Sequence, residues 1–445
     1  MKAELIELSK DEEKGRVSLR LIITGTRQEP ENGIICIQPP WYAVPGAHSE
    51  ICVSELAENE EMTLDLQYEF LYGGRYVFWV WERNNKLATL KWTIVSIKGA
   101  GMYSGNTHSH STYSDGKSTL EENRRAMMDC GHSFIYATEH NTTAHFPELA
   151  EYVEKGKEEN FLHIPGWEYT TKYGHSIAYG SRETYDVGKI PERNCVEAWQ
   201  KFADTMKAQE AVVFLAHPYE APKYEFGEDV LKEIVGIAGV EAWNGYNFHA
   251  LAYQNRKNFE AWDLFNSRGD GHYTGNAVSD AHTQKGQSSP YIKGYLKELS
   301  QSAVEEMLVS GRFIGSNGPE IIFSIGNAEI GETYKVSVEE DKQISKVLMK
   351  LEVFDPLGGI EAVSVYRGVV DGIFSAKPNT VKLFEFYPMG ELEKRNFEKN
   401  IFLDVKPGEF YRVEVITEVG VVTYMADSDK IEKGFAYTNP IWIEE

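Results

Sequence analysis

Hydrophobic and polar positions follow three successive rhythms along this chain. Over residues 1–98 the apolar positions come in short β-branched or aromatic runs, Val17-Ser18-Leu19-Arg20-Leu21-Ile22-Ile23, Gly33-Ile34-Ile35-Cys36-Ile37 and Tyr76-Val77-Phe78-Trp79-Val80-Trp81. Turn formers separate them at Glu29-Pro30, Asn32-Gly33, Gly73-Gly74 and Asn84-Asn85. This spacing predicts a small antiparallel β domain. Trp79, Trp81 and Trp92 suit its core, with a ligand platform as the alternative.

From about Gly99 the rhythm becomes strand, loop, helix. Ser118-Thr119-Leu120-Glu121 fits a capping box with Ser118 as N-cap, and Leu120, Arg124, Met127 and Met128 follow at helical spacing, so a helix is expected from about 119 to 130. The run Ser133 to Thr138 reads as a strand ending at Glu139-His140-Asn141. A polar amphipathic helix follows through Leu149 and Val153, then strands that deliver Glu168 and begin at His175. A helix near Cys195–Ala208 carries the stripe Val196, Trp199, Phe202 and Ala203. Val212 to Ala216 leads into His217-Pro218, helices are expected near Asp229–Val235 and Leu251–Ser267, and Gly275 to Ser279 leads into Asp280-Ala281-His282. Beyond a last helix at Ser302–Gly311 and a break at Gly315 to Pro319, period-two alternation returns in Val347 to Val353, Glu361 to Tyr366, Val381 to Phe386 and Tyr411 to Val415.

The fold class expected is α/β: a β/α barrel at 99–316 flanked by all-β domains at 1–98 and 317–445, the last a sandwich. A barrel is favoured because acid and imidazole groups recur at the C-terminal ends of its strands, where barrel enzymes gather their active sites. An open doubly wound sheet is the runner-up, and no glycine-rich phosphate loop follows any strand to support it.

The bulk properties narrow the function classes. With 445 residues, 42% hydrophobic and 25% charged, the chain reads as a multidomain globular protein. A net charge of -23 disfavours nucleic acid and anionic membranes as bulk partners. The expected partner is a small anionic substrate molecule, with the oligomeric state left open. Met1 to Leu8 lacks the features of a secretory signal, and no run approaches the ~18 apolar residues of a membrane span. Cys36, Cys52, Cys130 and Cys195 form no Cys-x-x-Cys pair, so a reducing cytoplasm is the expected address.

Candidate chemistry starts at His108-Ser109-His110. Imidazoles at i and i+2 of an extended strand project from one face, and Asp115 returns in the following turn, which is how a metal site begins. Strand ends supply His140, Glu168, His175, His217, Asp280 and His282, so 6 of the 12 histidines fall in the set. Arg124, Arg125, Lys172, Lys285 and His145 lie close in sequence to these motifs and are candidate anion grips, with solvated surface charge as the plainer role. His249 and His272 are candidate supporting groups, and Trp243 and Asn244 suit either a pocket wall or packing.

In this order the motifs resemble those of the polymerase-and-histidinol-phosphatase (PHP) superfamily of metal-dependent hydrolases. The resemblance runs over about residues 102–316, through His108-Ser109-His110 with Ser114-Asp115-Gly116, Thr138-Glu139-His140-Asn141, Pro165-Gly166-Trp167-Glu168, Gly174-His175, Ala216-His217-Pro218 and Ser279-Asp280-Ala281-His282. It implies a distorted seven-stranded β/α barrel with two or three divalent ions, zinc, manganese or iron. His108, His110, Glu168 and Asp280 are then expected to hold one ion. Glu168 bridges to a second, shared with His175 and His217, and Asp115, His140 and His282 hold a third. Glu168, Asp280 and His217 are the expected catalytic residues, acting through a metal-activated hydroxide. The family's usual Thr-Asp-His is here Thr138-Glu139-His140, which puts the supporting role of residue 139 in question. The segments Val240 to Gly245 and Gly311 to Pro319 look like the carbaryl-hydrolase-like branch, in which a β domain trails the barrel. Hydrolysis of a small phosphate ester is the reading favoured by the superfamily. Carboxyl ester, carbamate or amide hydrolysis is the alternative, and a metal-containing binding module without catalysis is a third.

Overall fold

The computed structural model describes the chain except residues 26–33, 39, 42–49, 53–57, 83–84, 221–224, 247–248, 337–344, 373–378 and 426–430. The turns expected at Glu29-Pro30 and Asn32-Gly33, and Asn84, lie outside the described residues. The chain divides into two compact units, Met1–Tyr103 with Leu296–Leu299, and Ser104–Tyr295 with Ser300–Glu445.

In the first unit the strands Lys2–Asp11, Arg16–Thr24 and Glu61–Glu69 form an antiparallel sheet. Ile34–Gln38 pairs antiparallel with both Glu50–Cys52 and Gly73–Glu82, and Gly73–Glu82 pairs antiparallel with Asn85–Ile97. Period-two alternation sends Val17, Leu19, Leu21 and Ile23 inward, where they meet Ile35, Ile37, Phe78 and Val80 in one core. Trp79 and Trp81 are buried, as packing requires.

The second unit holds the candidate chemistry. Gly101–Asn106 pairs parallel with Phe134–His140, and this pairs parallel with Leu162–Thr171. A hairpin follows, because Gly174–Tyr179 lies antiparallel to both Leu162–Thr171 and Val212–Ala216. Parallel pairing then resumes through Gly239–Asn244 to Thr274–Val278. A parallel bridge between Ser109 and Ala281 sets the segments after the first and last of these strands side by side. The result is a mixed α/β, sheet-rich region with helices at Leu120–Asp129, Phe146–Glu159, Val196–Ala208, Glu228–Glu233 and Tyr253–Ser267. These pairings stop short of defining a closed barrel.

Two details differ from the sequence reading. The capping box of the first helix uses Thr119 and Glu122, one residue later than expected, because Ser118 accepts a hydrogen bond from the Gln284 amide instead. Val196 is only half-buried at its helix start, and Met206 completes the inward stripe with Trp199, Phe202 and Ala203.

C-terminal strands form two facing layers. Glu320–Ile325 lies between Ala328–Glu329 and Ser345–Phe354, which also pairs with Asn396–Val405. Ile360–Val369 lies between Val381–Phe386 and Glu409–Thr417. Phe323, Met349, Leu351 and Val353 from one layer share a core with Val363, Val365, Val413 and Val415 from the other. Among the described residues no helix is long and apolar enough to cross a membrane.

A buried ionic network fastens the helix Tyr253–Ser267 to the strand Glu409–Thr417. Arg412 grips Asp263 through two bonds of 2.9 Å and reaches Glu414 at 2.6 Å, while Arg256 holds Glu414 through two bonds of 3.0 Å. Removing Arg412 leaves two buried carboxylates short of countercharge, a change that costs about 3–5 kcal/mol. Arg412→Met is therefore expected to lower unfolding free energy by that order in urea titrations, and a loss below about 1 kcal/mol would refute this role.

His163 sets an acid-sensitive point. Its ring stacks on Tyr152 at 5.7 Å, and neither ring nitrogen has a hydrogen-bond partner among the described residues. Burial, aided by the nearby charges of Arg124 and His145, lowers its pKa to about 3. The unfolded chain protonates this imidazole below about 6.5 while the fold does not, so its stability contribution is complete above that pH and declines as pH falls toward 3. His163→Phe, which keeps the stack, is expected to flatten the change in Tm between about pH 7 and 5 relative to the parent; parallel curves would count against it.

Candidate metal centre

All nine ligand-type residues converge at the strand ends. His108, Ser109 and His110 follow Gly101–Asn106, and the extended backbone there turns both imidazoles to one side. Asn106 locks this segment to its counterpart, donating through Nδ2 to His108 O at 2.9 Å and Ser279 Oγ at 2.6 Å and accepting from the Ser279 amide at 3.0 Å. Thr138 performs the same task on the other flank, accepting from the Ser109 amide at 3.0 Å.

Three groups of ligand atoms result. His108, His110 and Asp280 form one, Glu168, His175 and His217 a second, and Asp115, His140 and His282 with His110 a third. In the first, His108 Nε2 and His110 Nε2 lie 3.0 Å apart and each stands 3.1 to 3.2 Å from Asp280 Oδ1. Donors around a tetrahedral ion with bonds of about 2.0–2.1 Å sit roughly 3.3–3.4 Å apart, so this triangle fits a small divalent cation. His110 Nδ1 is buried and has no hydrogen-bond partner among the described residues.

Glu168 occupies the middle. Its Oε1 lies 2.9 Å from His175 Nδ1 and 3.4 Å from His217 Nε2. Its Oε2 lies 2.7 Å from His140 Nδ1 and 3.5 Å from both His108 Nε2 and His110 Nε2. Burial pushes this carboxyl upward, but the imidazoles of His140, His175 and His108 outweigh burial and hold it well below the usual range. The reciprocal effect opposes the burial of His140, and Glu168 lifts its pKa to about 9. Asp280 is likewise held low, with burial overcome by His108, His110 and His217. The centre thus keeps its acids ionised, as metal ligands must be.

Backbone strain marks two ligands. His217 and Asp280 have φ of 28° and 49°, in the left-handed region that non-glycine residues seldom adopt. Such conformations cost about 1–3 kcal/mol each and persist where neighbours hold them. The His217 amide donates to Glu241 Oε2 at 3.0 Å, and the Asp280 amide donates to His108 O at 3.0 Å.

The supporting carboxylates were not foreseen in the ligand set. Glu241, fully buried, sits 2.7 Å from His108 Nδ1 and accepts from Asn244 Nδ2 at 3.1 Å, while Asn244 also donates to Asp280 Oδ2 at 3.1 Å. Glu220 lies 3.1 Å from His217 Nδ1. The available signal was a lone acid inside the apolar strand Gly239–Asn244, since a buried carboxylate needs a partner.

Other candidates are engaged elsewhere. Arg124 is buried against Glu121 and Glu159 and over the rings of Tyr152 and Phe161, and Arg125 is exposed and pairs with Glu121. Exposed Lys172 lies over the Tyr173 ring, and Lys285 is exposed. His145 is buried, with Nε2 at 3.1 Å from Ala137 O and 3.0 Å from Gly166 O. His249 Nδ1 accepts from the Leu251 amide, His272 stacks on Trp442, and Trp243 packs against Phe435.

No protein-family model and no curated protein sequence matches the chain. Among solved structures, it is similar to a two-domain protein from Bacteroides vulgatus containing a predicted PHP-like metal-dependent phosphoesterase, with 17% identity, 77% of this chain and 96% of that one covered, and a TM-score of 0.38. A candidate metal-dependent phosphoesterase from Bifidobacterium adolescentis gives 16% identity, coverage of 46% and 94%, and a TM-score of 0.32. An amidohydrolase from Chromobacterium violaceum with bound sulfate gives 13%, 40% and 87%, and 0.28.

Carboxylates that orient a metal-binding imidazole raise metal affinity by about 10–100-fold. Glu241→Gln is accordingly expected to weaken metal binding by that factor, read by competition with a chelating dye, with the far-UV circular dichroism unchanged. Parental affinity in the variant would rule the role out.

Proposed function

We propose that this protein is a metal-dependent hydrolase of PHP type, acting on a small phosphate ester. The observation that carries the reading is the placement of Glu168, a buried carboxylate reaching five imidazoles within 3.5 Å. A cluster so rich in buried ligand atoms exceeds the four ligands of a closed structural site. In this reading the nine residues hold two or three ions of zinc, manganese or iron, the seven strands between Gly101 and Val278 curl into a distorted barrel, and all-β domains at 1–98 and 317–445 flank it. The trailing β region supports placement in the carbaryl-hydrolase-like branch.

Divalent ions, when bound, make hydroxide available near neutral pH and offset negative charge at the reacting oxygen. The chain's own residues do the rest. Glu168 and Asp280 stay ionised and hold the imidazoles in place, His217 is fixed between Glu168 and Glu220, and Glu241 sets the His108 ring. Asp115, His140 and His282 are the exposed side of the cluster, with side-chain exposures of 57%, 23% and 16%, so substrate enters there. The exposed Tyr246 ring lies 4.6 Å from His282 at this edge.

One observation favours a second reading, hydrolysis of a carboxyl ester, carbamate or amide. Among the described residues the ion pairs of Asp115, Glu168 and Asp280 are all with imidazoles, so none of these acids brings a lysine or arginine to the cluster to share a phosphate's charge. Protein stripped of metal and reloaded with zinc, manganese or iron in turn, then assayed on nitrophenyl phosphates, phosphodiesters and acyl esters, separates the readings. Metal-dependent turnover with phosphate esters ahead by orders of magnitude is expected, and Asp280→Ala should abolish it. An acyl-ester preference selects the second reading, and full activity without metal overturns both.

A further inference from the structure

The turn that carries Asp115 is tied down by a carboxylate whose side-chain hydrogen bonds, among the described residues, go to serines and not to a ligand side chain. Glu139 is fully buried at the end of its strand. Its Oε1 accepts from the Ser111 amide at 3.0 Å and from Ser111 Oγ, and its Oε2 accepts from Ser114 Oγ. Ser111 in turn accepts from the Tyr113 amide through Oγ and from the Ser114 amide through its carbonyl. At the far end of the turn the Lys117 amide donates to His282 O at 2.8 Å. Segment 111–117 is therefore clamped between Glu139 and His282, with Asp115 in the span between them.

Among the described residues the Asp115 carboxylate pairs only with imidazoles, so its position depends on this clamp. Its carboxylate is 57% exposed, and its recorded contacts are His140 Nε2 at 3.4 Å and His282 Nε2 at 3.2 Å. A short side chain with two torsions finds both imidazoles only where its backbone is held. An exposed carboxylate also attracts a cation less than a buried one, because water screens it. The groups centred on Asp280 and Glu168 are buried and take no ligand from segment 111–117.

We propose that Glu139 is a positioning residue for the outermost of the three metal subsites, and that this subsite fills last and empties first. The proposal rests on the metal-hydrolase reading above and adds a residue and an order of loading to it. It also assigns a role to the glutamate at a position where the related motif has aspartate. The longer side chain spans the gap from the strand to Ser114, and aspartate would fall short by about one carbon–carbon bond, roughly 1.5 Å.

The test is a metal titration of the full chain, stripped and then loaded with manganese or zinc in equilibrium dialysis with elemental analysis. The parent is expected to bind three ions, the last at least tenfold more weakly. Glu139→Gln, whose amide nitrogen cannot accept from serine, should weaken that last ion by about 10–100-fold and leave the first two and the Tm of the two-ion form unchanged. Ser114→Ala, a gentler change, should shift the same ion in the same direction. Asp115→Asn should remove that ion, and adding Glu139→Gln to it should cost nothing further, the signature of two residues acting through one site. Three ions bound at parental affinity in Glu139→Gln, or all three weakened together, would overturn the proposal while leaving the hydrolase reading intact. A parent that binds no ion would overturn both.

Discussion

A buried carboxylate cannot be left without positive charge, and Glu168 imposes that constraint on everything around it. Desolvation alone would drive this acid toward its neutral form. Five imidazoles from four separate segments hold it ionised instead, so the fold must deliver His108, His110, His140, His175 and His217 to one point. The hairpin between Leu162–Thr171 and Gly174–Tyr179 makes part of this local, because Glu168 and His175 lie on paired strands close in sequence. The remaining imidazoles arrive only through long-range strand pairing. A divalent cation among these atoms satisfies acid and imidazole alike, and imidazoles held neutral by coordination no longer need to be protonated in a dry interior.

How much of this could be read from the chain follows from the range of each interaction. The His108-Ser109-His110 and Asp280-Ala281-His282 pairs were legible because i and i+2 spacing on extended backbone is a local rule. The pairs lie far apart in sequence, yet the bridge between Ser109 and Ala281 runs them side by side. Helix positions were legible from amphipathic spacing, although the first cap moved from Ser118 to Thr119 when a tertiary bond to Gln284 claimed the serine. Glu241 was not assigned because its partner, His108, is 133 residues away and no local pattern links them. Arg124 fits neither the anion grip nor the solvated surface charge expected of it, for a related reason. Its place on the helix was clear, but that its charge turns toward Glu121 and Glu159 rather than the metal ligands depends on packing against Tyr152 and Phe161.

The C-terminal strands do more than trail the centre. Asn439 clasps Gly275 through its amide, Tyr437 donates to Gly275 O at 3.1 Å, and Phe435 packs on Trp243. Gly275 opens the run that ends at Asp280, and Trp243 neighbours Asn244, which bonds Asp280 directly. These contacts bear on the two strands that place Asp280 and Glu241, and the Arg412 network fastens the helix Tyr253–Ser267 to the same C-terminal region. A strained ligand such as Asp280 keeps its left-handed backbone only where surrounding packing over-determines it. The C-terminal region is thus part of what holds the centre in shape, whatever else it binds.

The graded burial of the cluster gives the proposed chemistry a direction. The atoms of the Asp280 and Glu168 groups lie in a dry interior where electrostatic forces are strong, and those of the Asp115 group lie toward water where they are weak. A substrate entering from the open side therefore meets the most replaceable ligands first and the most rigid ones last. Rigid, buried ligands suit the atom that must be held through the reaction, because preorganised charge costs no rearrangement as the transition state forms. Ligands whose charge is screened by water suit the edge where substrate arrives and product leaves, since groups there can exchange partners without disturbing the interior. On this physical ground the proposed hydrolytic step belongs beside Glu168, and recognition of the substrate's outer portion belongs near Asp115 and Tyr246.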